Sequence, residues 1–320
     1  MARQIVALLA FALFSGFLTS CGENEDLSTW EKHELMEDRY RNLKPLSFSE
    51  FSFDNHEFKS QLNILVGGDT GHGNHEQYRV ADGMKKSCND AGGCDFVIFA
   101  GDNIYHYGVK NIHDPKFHDY FEDQYKVLGH LDIWMILGNH DWMGSVQSQV
   151  NYTKVSSKWK LPFMHYQIPK LPSWLRIQMS DIMLESEING HMKSYFCGYD
   201  GWKIFVEHHP LYSNGEHGGN AKQQNHIQPI IEECGVQLAI GGHDHDLELI
   251  DIEGKFLQLV SGAASEVRTI ASDADPTHNQ LFASEKTGFN ILEMDATHLT
   301  IHFFDHDGNE VYSKSFLKGP

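Results

Sequence analysis

Five short apolar runs stand out in the hydrophobic pattern of the chain, and each is followed at once by a polar turn. The runs cover residues 63–66, 96–100, 133–137, 204–206 and 238–240. Continuous apolar runs of this length are typical of strands that are buried on both faces of a layered α/β domain. The pattern therefore predicts a sheet-based core with polar turns at the carboxyl ends of its strands.

The polar turns carry the candidate chemistry. They read Asp-Thr-Gly at 69–71, Gly-Asp-Asn-Ile-Tyr at 101–105, Gly-Asn-His-Asp at 138–141, Glu-His-His-Pro at 207–210 and Gly-His-Asp-His at 242–245. Ligands collect beyond the carboxyl ends of the strands in such sheets, so motifs that are distant in sequence can converge there. Glycines before Asp102, Asn139 and His243 fit tight turns that bring the backbone close to a ligand.

The residue types in these motifs predict a site for two metal ions. Carboxylate, amide and imidazole ligands suit zinc, manganese and iron, and the absence of cysteine from the motifs argues against a thiolate zinc site. A phenolate such as that of Tyr105 binds best to a strongly Lewis-acidic trivalent ion. We therefore expect Fe³⁺ with a divalent ion (Fe²⁺, Zn²⁺ or Mn²⁺), about 3.5–4 Å apart, as a clamp for displacement at phosphorus.

Each motif alone also has an ordinary structural interpretation as a surface turn, and Tyr105 alone as a packed tyrosine. All five in this order, each after an apolar strand, closely resemble the purple acid phosphatases, a branch of the calcineurin-like metallophosphoesterases. The likeness is strongest to the small, tartrate-resistant kind and runs from about residue 61 to 320. Stretches 147–156, 212–218 and 259–263 also look like matching segments.

The resemblance implies a fold and a set of roles. The implied fold is α/β, a four-layer α/β/β/α sandwich of two mixed sheets with outer helices. The implied metal ligands are Asp69, Tyr105 and His245 for the ferric ion, Asp102 as a bridge to both ions, and Asn139, His208 and His243 for the divalent ion. His140 and His217 would face the substrate phosphate as catalytic residues without binding metal.

The chain departs from that family at several positions. Gly71 stands where most calcineurin-like enzymes carry a histidine, and Tyr105 takes that role in the purple subgroup. His209 replaces the usual tyrosine, and we expect the change to be tolerated. Residues 179–198 are shorter than the loop and helix of the relatives, and an acidic loop that covers the active site in mammalian relatives is missing. We expect His72 to be a solvated loop histidine.

The expected function is hydrolysis of phosphate monoesters at acidic pH, by attack of a metal-activated hydroxide on small phosphorylated substrates. Protonated His140 or His217 would stabilise developing charge or supply a proton to the leaving group. Two alternatives remain open. One is a phosphodiesterase or nucleotide hydrolase on the same scaffold, and the other is a surface-exposed binding lipoprotein whose metal site is only structural.

The first residues predict export. Arg3 precedes an apolar core that is too short for a comfortable membrane span, so residues 1–21 are expected to be a signal peptide. Cys21 ends a stretch that resembles a bacterial lipobox, so the protein is either a cell-envelope lipoprotein anchored through Cys21 or a plain secreted protein. Residues 22–60 are expected to form a polar leader or tether, or a strand added at the domain edge, and residues 61–320 the single catalytic domain.

Charge and cysteine content limit the partners. A net charge of -19 argues against nucleic acid as a docking partner. We expect a monomer that meets a membrane only through the lipid anchor. In an exported protein, Cys88 and Cys94 can close a small loop, and Cys197 and Cys234 are either a second pair or buried thiols.

Overall fold

The five apolar runs form strands, and each strand ends where its polar motif begins. The structure is a computed structural model that describes residues 42–181, 185–270 and 278–319. The strands in these residues are β1 Gln61–Gly67, β2 Phe96–Phe99, β3 Ile133–Met135, β4 Trp159–Lys160, β5 His165–Gln167, β6 Leu175–Ser180, β7 Trp202–Val206, β8 Leu238–Gly241, β9 Leu247–Ile252, β10 Phe256–Ser261, β11 Asn279–Ser284, β12 Gly288–Asp295, β13 His298–Asp305 and β14 Glu310–Leu317.

These strands form two mixed sheets of seven strands each in the described part of the chain. The first has the order β14-β13-β12-β1-β2-β3-β4, and the second has the order β11-β9-β10-β8-β7-β6-β5. Neighbours from β1 to β4 are parallel, as are those in the run β10-β8-β7-β6, and the flanking strands pair antiparallel. Each sheet therefore brings the carboxyl ends of four parallel strands to one edge.

Hydrogen bonds join the two sheets across their facing sides. The Trp202 indole on β7 donates to the Asp295 carbonyl on β12 at 2.9 Å. The Tyr166 hydroxyl on β5 donates to the carbonyl of Met135 on β3 at 2.6 Å. Strands β2, β3, β7 and β8 are buried along their whole length, as expected for central strands covered on both faces.

Helices cover the outer faces of the sheets, which confirms the predicted α/β/β/α sandwich of two mixed sheets. The α-helices are α1 His75–Asp90, α2 Asn139–Trp142, α3 Val146–Tyr152, α4 Glu185–Phe196, α5 Ala221–His226 and α6 Gln228–Cys234, with 3₁₀ turns at Phe48–Glu50 and Lys126–Leu128 and a π turn at His118–Glu122. Helix α1 begins at Asn74, whose side chain accepts a hydrogen bond from the Gln77 amide. Met192 and Phe196 of α4 pack with α6 against buried residues of the second sheet. Residues 179–198 thus still hold a helix.

The compact unit begins at Leu43 rather than at residue 61. Phe48 and Phe53 pack against Trp134, with ring centroids 6.4 and 5.8 Å away. The Asp54 amide donates to the Asp132 carboxylate at 2.6 Å. Residues 43–60 are therefore packed on the domain, without an added strand. The proposed signal peptide at 1–21, including Cys21, and residues 22–41 of the leader lie outside the described residues.

Both cysteine pairs are disulfides, as the spacing allowed. Cys88 pairs with Cys94 at the end of α1, with Cα atoms 5.1 Å apart, and Cys197 pairs with Cys234 across α4 and α6, with Cα atoms 4.3 Å apart. Within the described ranges, no helix combines the length and the apolar character needed to cross a bilayer.

Candidate active site

The two sheets bring the five polar motifs together at their carboxyl edge. Strands β1, β2 and β3 lead into Asp69, Asp102 and Asn139, while β7 and β8 of the other sheet lead into the three motif histidines. The amide of His243 donates to the Asp69 carboxylate at 2.8 Å, which joins the motifs of the two sheets directly. All seven predicted ligands and both predicted catalytic histidines lie in this one region.

Asp69, Tyr105 and His245 form one half of the site. The Tyr105 hydroxyl donates to the Asp69 carboxylate at 2.8 Å and lies 3.0 Å from Nε2 of His245. Nε2 of His245 is in turn 3.4 Å from the Asp69 carboxylate. All three side chains are buried, so three ligand-type atoms converge on one small space that solvent barely reaches.

Asp102, Asn139, His208 and His243 form the other half. Nε2 of His208 lies 3.5 Å from the Asp102 carboxylate and 3.2 Å from the Asn139 side-chain oxygen. Its other ring nitrogen faces the Ala100 carbonyl at 2.7 Å, which fixes that nitrogen as the donor and leaves Nε2 to the site. The His208 and His243 rings are 5.2 Å apart. Atoms of Asp69, Asp102 and His208 lie within 4.8 Å of one another, so the halves are contiguous.

His140 contacts the cluster beside Asp102, and His217 contacts it beside His243. His140 Nε2 is 3.9 Å from the Asp102 carboxylate, while its Nδ1 faces the His106 carbonyl at 2.7 Å. The His217 ring stacks on His243 with centroids 4.5 Å apart. His140 is half-buried and His217 is exposed, so solvent reaches both rings.

Tight turns hold these side chains in place. Asp69, Asp102 and His243 adopt positive φ angles of 55°, 51° and 67°, a region that non-glycine residues rarely occupy outside functional sites. A Cβ atom at Gly138 would collide with the Asp102 carboxylate, and one at Gly242 would collide with that of Asp69. Both glycines therefore let the backbone approach these carboxylates closely; that they bring it close to a bound ligand stays a prediction.

Asp141 is a site residue to which the sequence pattern assigned no role. It is fully buried and accepts hydrogen bonds from the amides of Gly138, Asn103 and Ile104 at 2.9, 3.0 and 3.2 Å, and from the Asn103 side chain at 3.1 Å. Burial, and then the charge of Asp102, raise the pKa of Asp141 to about 7. Asp141 thus ties the turn that carries Asp102 to the turn that carries Asn139. Its position three residues after Gly138 was the available signal.

His72 does not lie in solvent, so that expectation is wrong. Its ring stacks on Tyr105 with centroids 3.8 Å apart, and its two nitrogens face Ser265 Oγ at 2.7 Å and the Glu266 carboxylate at 2.8 Å. Because residues 265–266 are almost two hundred positions away in sequence, no local pattern could have found this contact.

His209, expected to be a tolerated replacement, lies among the motif histidines. Its ring lies 4.2 Å from His243, and atoms of His208, His209 and His243 come within 4.8 Å of one another. Burial, and then the neighbouring His208, lower the pKa of His209 to about 3. His209 therefore places a third imidazole beside His208 and His243.

The electrostatics of the cluster reflect closely packed opposite charges. Although burial lowers the pKa of His208, Asp102 raises it to about 10. Burial by itself raises the pKa of Asp102, yet His208 and His140 hold the pKa of that carboxyl well below its usual range. Burial and the carboxylates of Asp69 and Asp102 raise the pKa of Tyr105 well above 10. These surroundings therefore favour the protonated phenol in the metal-free protein.

Comparison with known proteins agrees with this geometry. The sequence model of the calcineurin-like phosphoesterase family matches residues 62–247. Tartrate-resistant acid phosphatase type 5 of Rattus norvegicus is 23% identical over 262 residues, which cover 71% of this chain and 80% of that protein. Purple acid phosphatase 7 of Arabidopsis thaliana is 28% identical over 285 residues, which cover 80% and 86%.

A solved structure extends the likeness to the fold. The structure described as GAP50, the anchor in the inner membrane complex of Plasmodium, superposes with a TM-score of 0.72 at 22% identity and covers 82% of this chain and 90% of that one. The matched residues 62–247 contain all of the polar motifs. With its strand order, its motifs and this family match, the chain belongs to the calcineurin-like phosphoesterase family.

Proposed function

We propose that this protein is an acid phosphatase that hydrolyses phosphate monoesters with two metal ions, one of them ferric. The observation that carries the proposal is the position of the Tyr105 hydroxyl, within 3.0 Å of both Asp69 and His245. A phenol among a carboxylate and an imidazole is the ligand set that favours a trivalent ion. The names of the relatives, acid and purple acid phosphatases, support the same activity.

The donor set fits two ions. His208 Nε2 and the Asn139 oxygen face each other at 3.2 Å, and Asp69, Asp102 and His208 crowd within 4.8 Å, as groups that share cations do. The proposed ligands are Asp69, Tyr105 and His245 for the ferric ion, Asp102 for both, and Asn139, His208 and His243 for Fe²⁺, Zn²⁺ or Mn²⁺. When bound, the pair would supply Lewis acidity that activates water and neutralises phosphate charge.

His140 is the proposed proton donor to the leaving group. Its Nδ1 lies 2.7 Å from the His106 carbonyl, so that nitrogen carries a proton and holds the ring in one orientation. Nε2 then points into the mouth of the site, 3.9 Å from Asp102. General acid catalysis of this kind typically contributes about 10²–10⁴-fold.

The test is hydrolysis of nitrophenyl phosphate and of a poor-leaving-group alkyl phosphate by protein of known metal content. We expect His140→Ala to lower turnover at least about tenfold, more for the alkyl ester, while both metals remain bound. His130→Ala, at an exposed histidine away from the site, is the matched control. Loss of a metal from the His140 variant, or full activity on the alkyl ester, would contradict this role.

The same assay separates the alternatives. A diesterase or nucleotide hydrolase would prefer bis-nitrophenyl phosphate or a nucleotide over the monoester. A binding protein with a structural metal site would hydrolyse none of these esters although its metals are present. The anchor role of the Plasmodium protein belongs to that protein, and a likeness at 22% identity supports the fold alone.

A further inference from the structure

Arg268 reaches into the active site from a loop that no polar motif contains. This loop follows β10, and the Arg268 amide donates to the carbonyl of His245 at 2.9 Å. Its guanidinium contacts Nε2 of His217 by way of Nη1. The side chain is 31% exposed, so it lies at the mouth of the site rather than in the core. The backbone of Arg268 is thus bound to His245, a proposed metal ligand, and its guanidinium contacts His217, a proposed catalytic residue.

In the contact between Arg268 and His217, the guanidinium is the positively charged partner and the hydrogen-bond donor. A guanidinium offers only donors, so the His217 nitrogen that faces it must be an acceptor. The His217 ring in turn stacks on His243, a proposed ligand, at 4.5 Å. A carboxylate of Glu216 lies 3.8 Å from Nε of Arg268, while Nη1 faces His217. The Nη1 end of the guanidinium therefore lies next to His217, which stacks on the proposed ligand His243.

We propose that Arg268 binds the phosphate group of the substrate together with His217, and that it favours phosphate monoesters over diesters. The inference rests on the proposed phosphatase function and names a residue that selects within it. Arginine presents a planar fork of donors that matches two phosphate oxygens. A monoester dianion offers one more charged, non-ester oxygen than a diester does. The guanidinium therefore gains more from a monoester than from a diester.

The first experiment replaces Arg268 in the metal-loaded protein. We expect Arg268→Gln to weaken the binding of inorganic phosphate, measured by calorimetry, by about 10- to 100-fold, the size of one charge-assisted hydrogen-bonding group. KM for a monoester should rise by a similar factor, with a smaller change for a diester, and Arg268→Lys should fall between. Arg79→Gln removes a cation of similar exposure, 37%, which pairs with Asp307 at 3.0 Å, and should change neither quantity.

A double variant decides between direct binding and an indirect effect through His217. If Arg268 touches the phosphate, Arg268→Gln must weaken phosphate binding further in a His217→Asn background. If Arg268 only positions His217, the second substitution adds nothing, and the inference is wrong. It is equally wrong if Arg268→Gln binds phosphate and hydrolyses monoesters as the wild type does. A wild-type protein with both metals that neither binds phosphate nor hydrolyses any ester would overturn the proposed function, and this inference with it.

Discussion

Asp141→Ala should destabilise the protein far more than the loss of a surface carboxylate, because Asp141 is buried and joins two turns of the active site. Its carboxylate accepts four hydrogen bonds, from the amides of Gly138, Asn103 and Ile104 and from the Asn103 side chain. Asp141 itself is fully buried, so water has little access to replace these bonds. The substitution leaves three backbone amides without their acceptor.

The size of the effect follows from those amides. A buried donor left without a partner costs about 1–3 kcal/mol. Removal of a buried carboxylate recovers part of its desolvation penalty, so the net loss for three amides should be about 3–5 kcal/mol. At roughly 2–4 °C per kcal/mol for domains of about this size, the melting temperature should fall by about 6–20 °C. Asp141→Asn keeps one accepting oxygen, so its melting temperature should lie between those of Asp141→Ala and the wild type.

The assay is denaturant unfolding of the metal-stripped protein at pH 8, above the pKa of about 7 to which burial and Asp102 raise Asp141. Asp305→Ala is the matched control. Asp305 accepts from the amides of Asn309 and Asp307 at 2.9 and 3.0 Å and from the Asn309 side chain, but in a turn that is partly open to solvent. It should cost less than about 1.5 kcal/mol, because water replaces its contacts. Equal losses at the two sites would refute the reasoning that burial sets the cost.

Three further predictions concern colour, the pH dependence of stability and anchoring. Tyr105→Phe should abolish a visible charge-transfer absorption band while the fold persists by circular dichroism; a wild-type protein with two bound metals and no iron would contradict the ferric assignment. For His208, burial lowers the pKa but Asp102 raises it to about 10, from 6.5, so the metal-free protein should hold the stabilisation of this pair below pH 6.5 and lose it as the pH rises toward 10. Urea unfolding across that range measures how the free energy of unfolding changes with pH, and Asp102→Asn should lack this change. If the wild type instead gains stability over that variant as the pH rises, the pairing is wrong. Cys21→Ser should release the protein from membranes of a bacterial host and prevent fatty-acid labelling; a soluble wild type whose mature chain starts elsewhere would rule out the lipid anchor.

The amino-acid sequence was sufficient for the framework of the site. Runs such as 96–100 are apolar at every position, and a strand buried on both faces is the simplest structure that uses them. The polar residues that follow, such as Asp102 and His208, lie close together because they stand at strand ends. Their identities limit the kinds of ion that the proposed site could hold, and so led to the proposed reaction.

The proximity of the cysteines also carried information. Cys88 and Cys94 are six positions apart, so their pairing needed little beyond an oxidising compartment. Cys197 and Cys234, separated by thirty-seven positions, were an open question that the packing of α4 against α6 decided. Sequence separation sets how much a local pattern can say, because distant groups meet only when the whole chain has folded.

Only the tertiary structure decided what surrounds the motif residues. The stack of His72 on Tyr105, the contact of Arg268 with His217 and the packing of residues 43–60 on Trp134 all join segments that are far apart in sequence. The positions of the motifs follow from a short-range rule, because the carboxyl ends of the strands in any parallel sheet lie at the same edge. The partners of each ring nitrogen and carboxylate are set instead by which loops meet across the two sheets, and no local periodicity encodes that meeting.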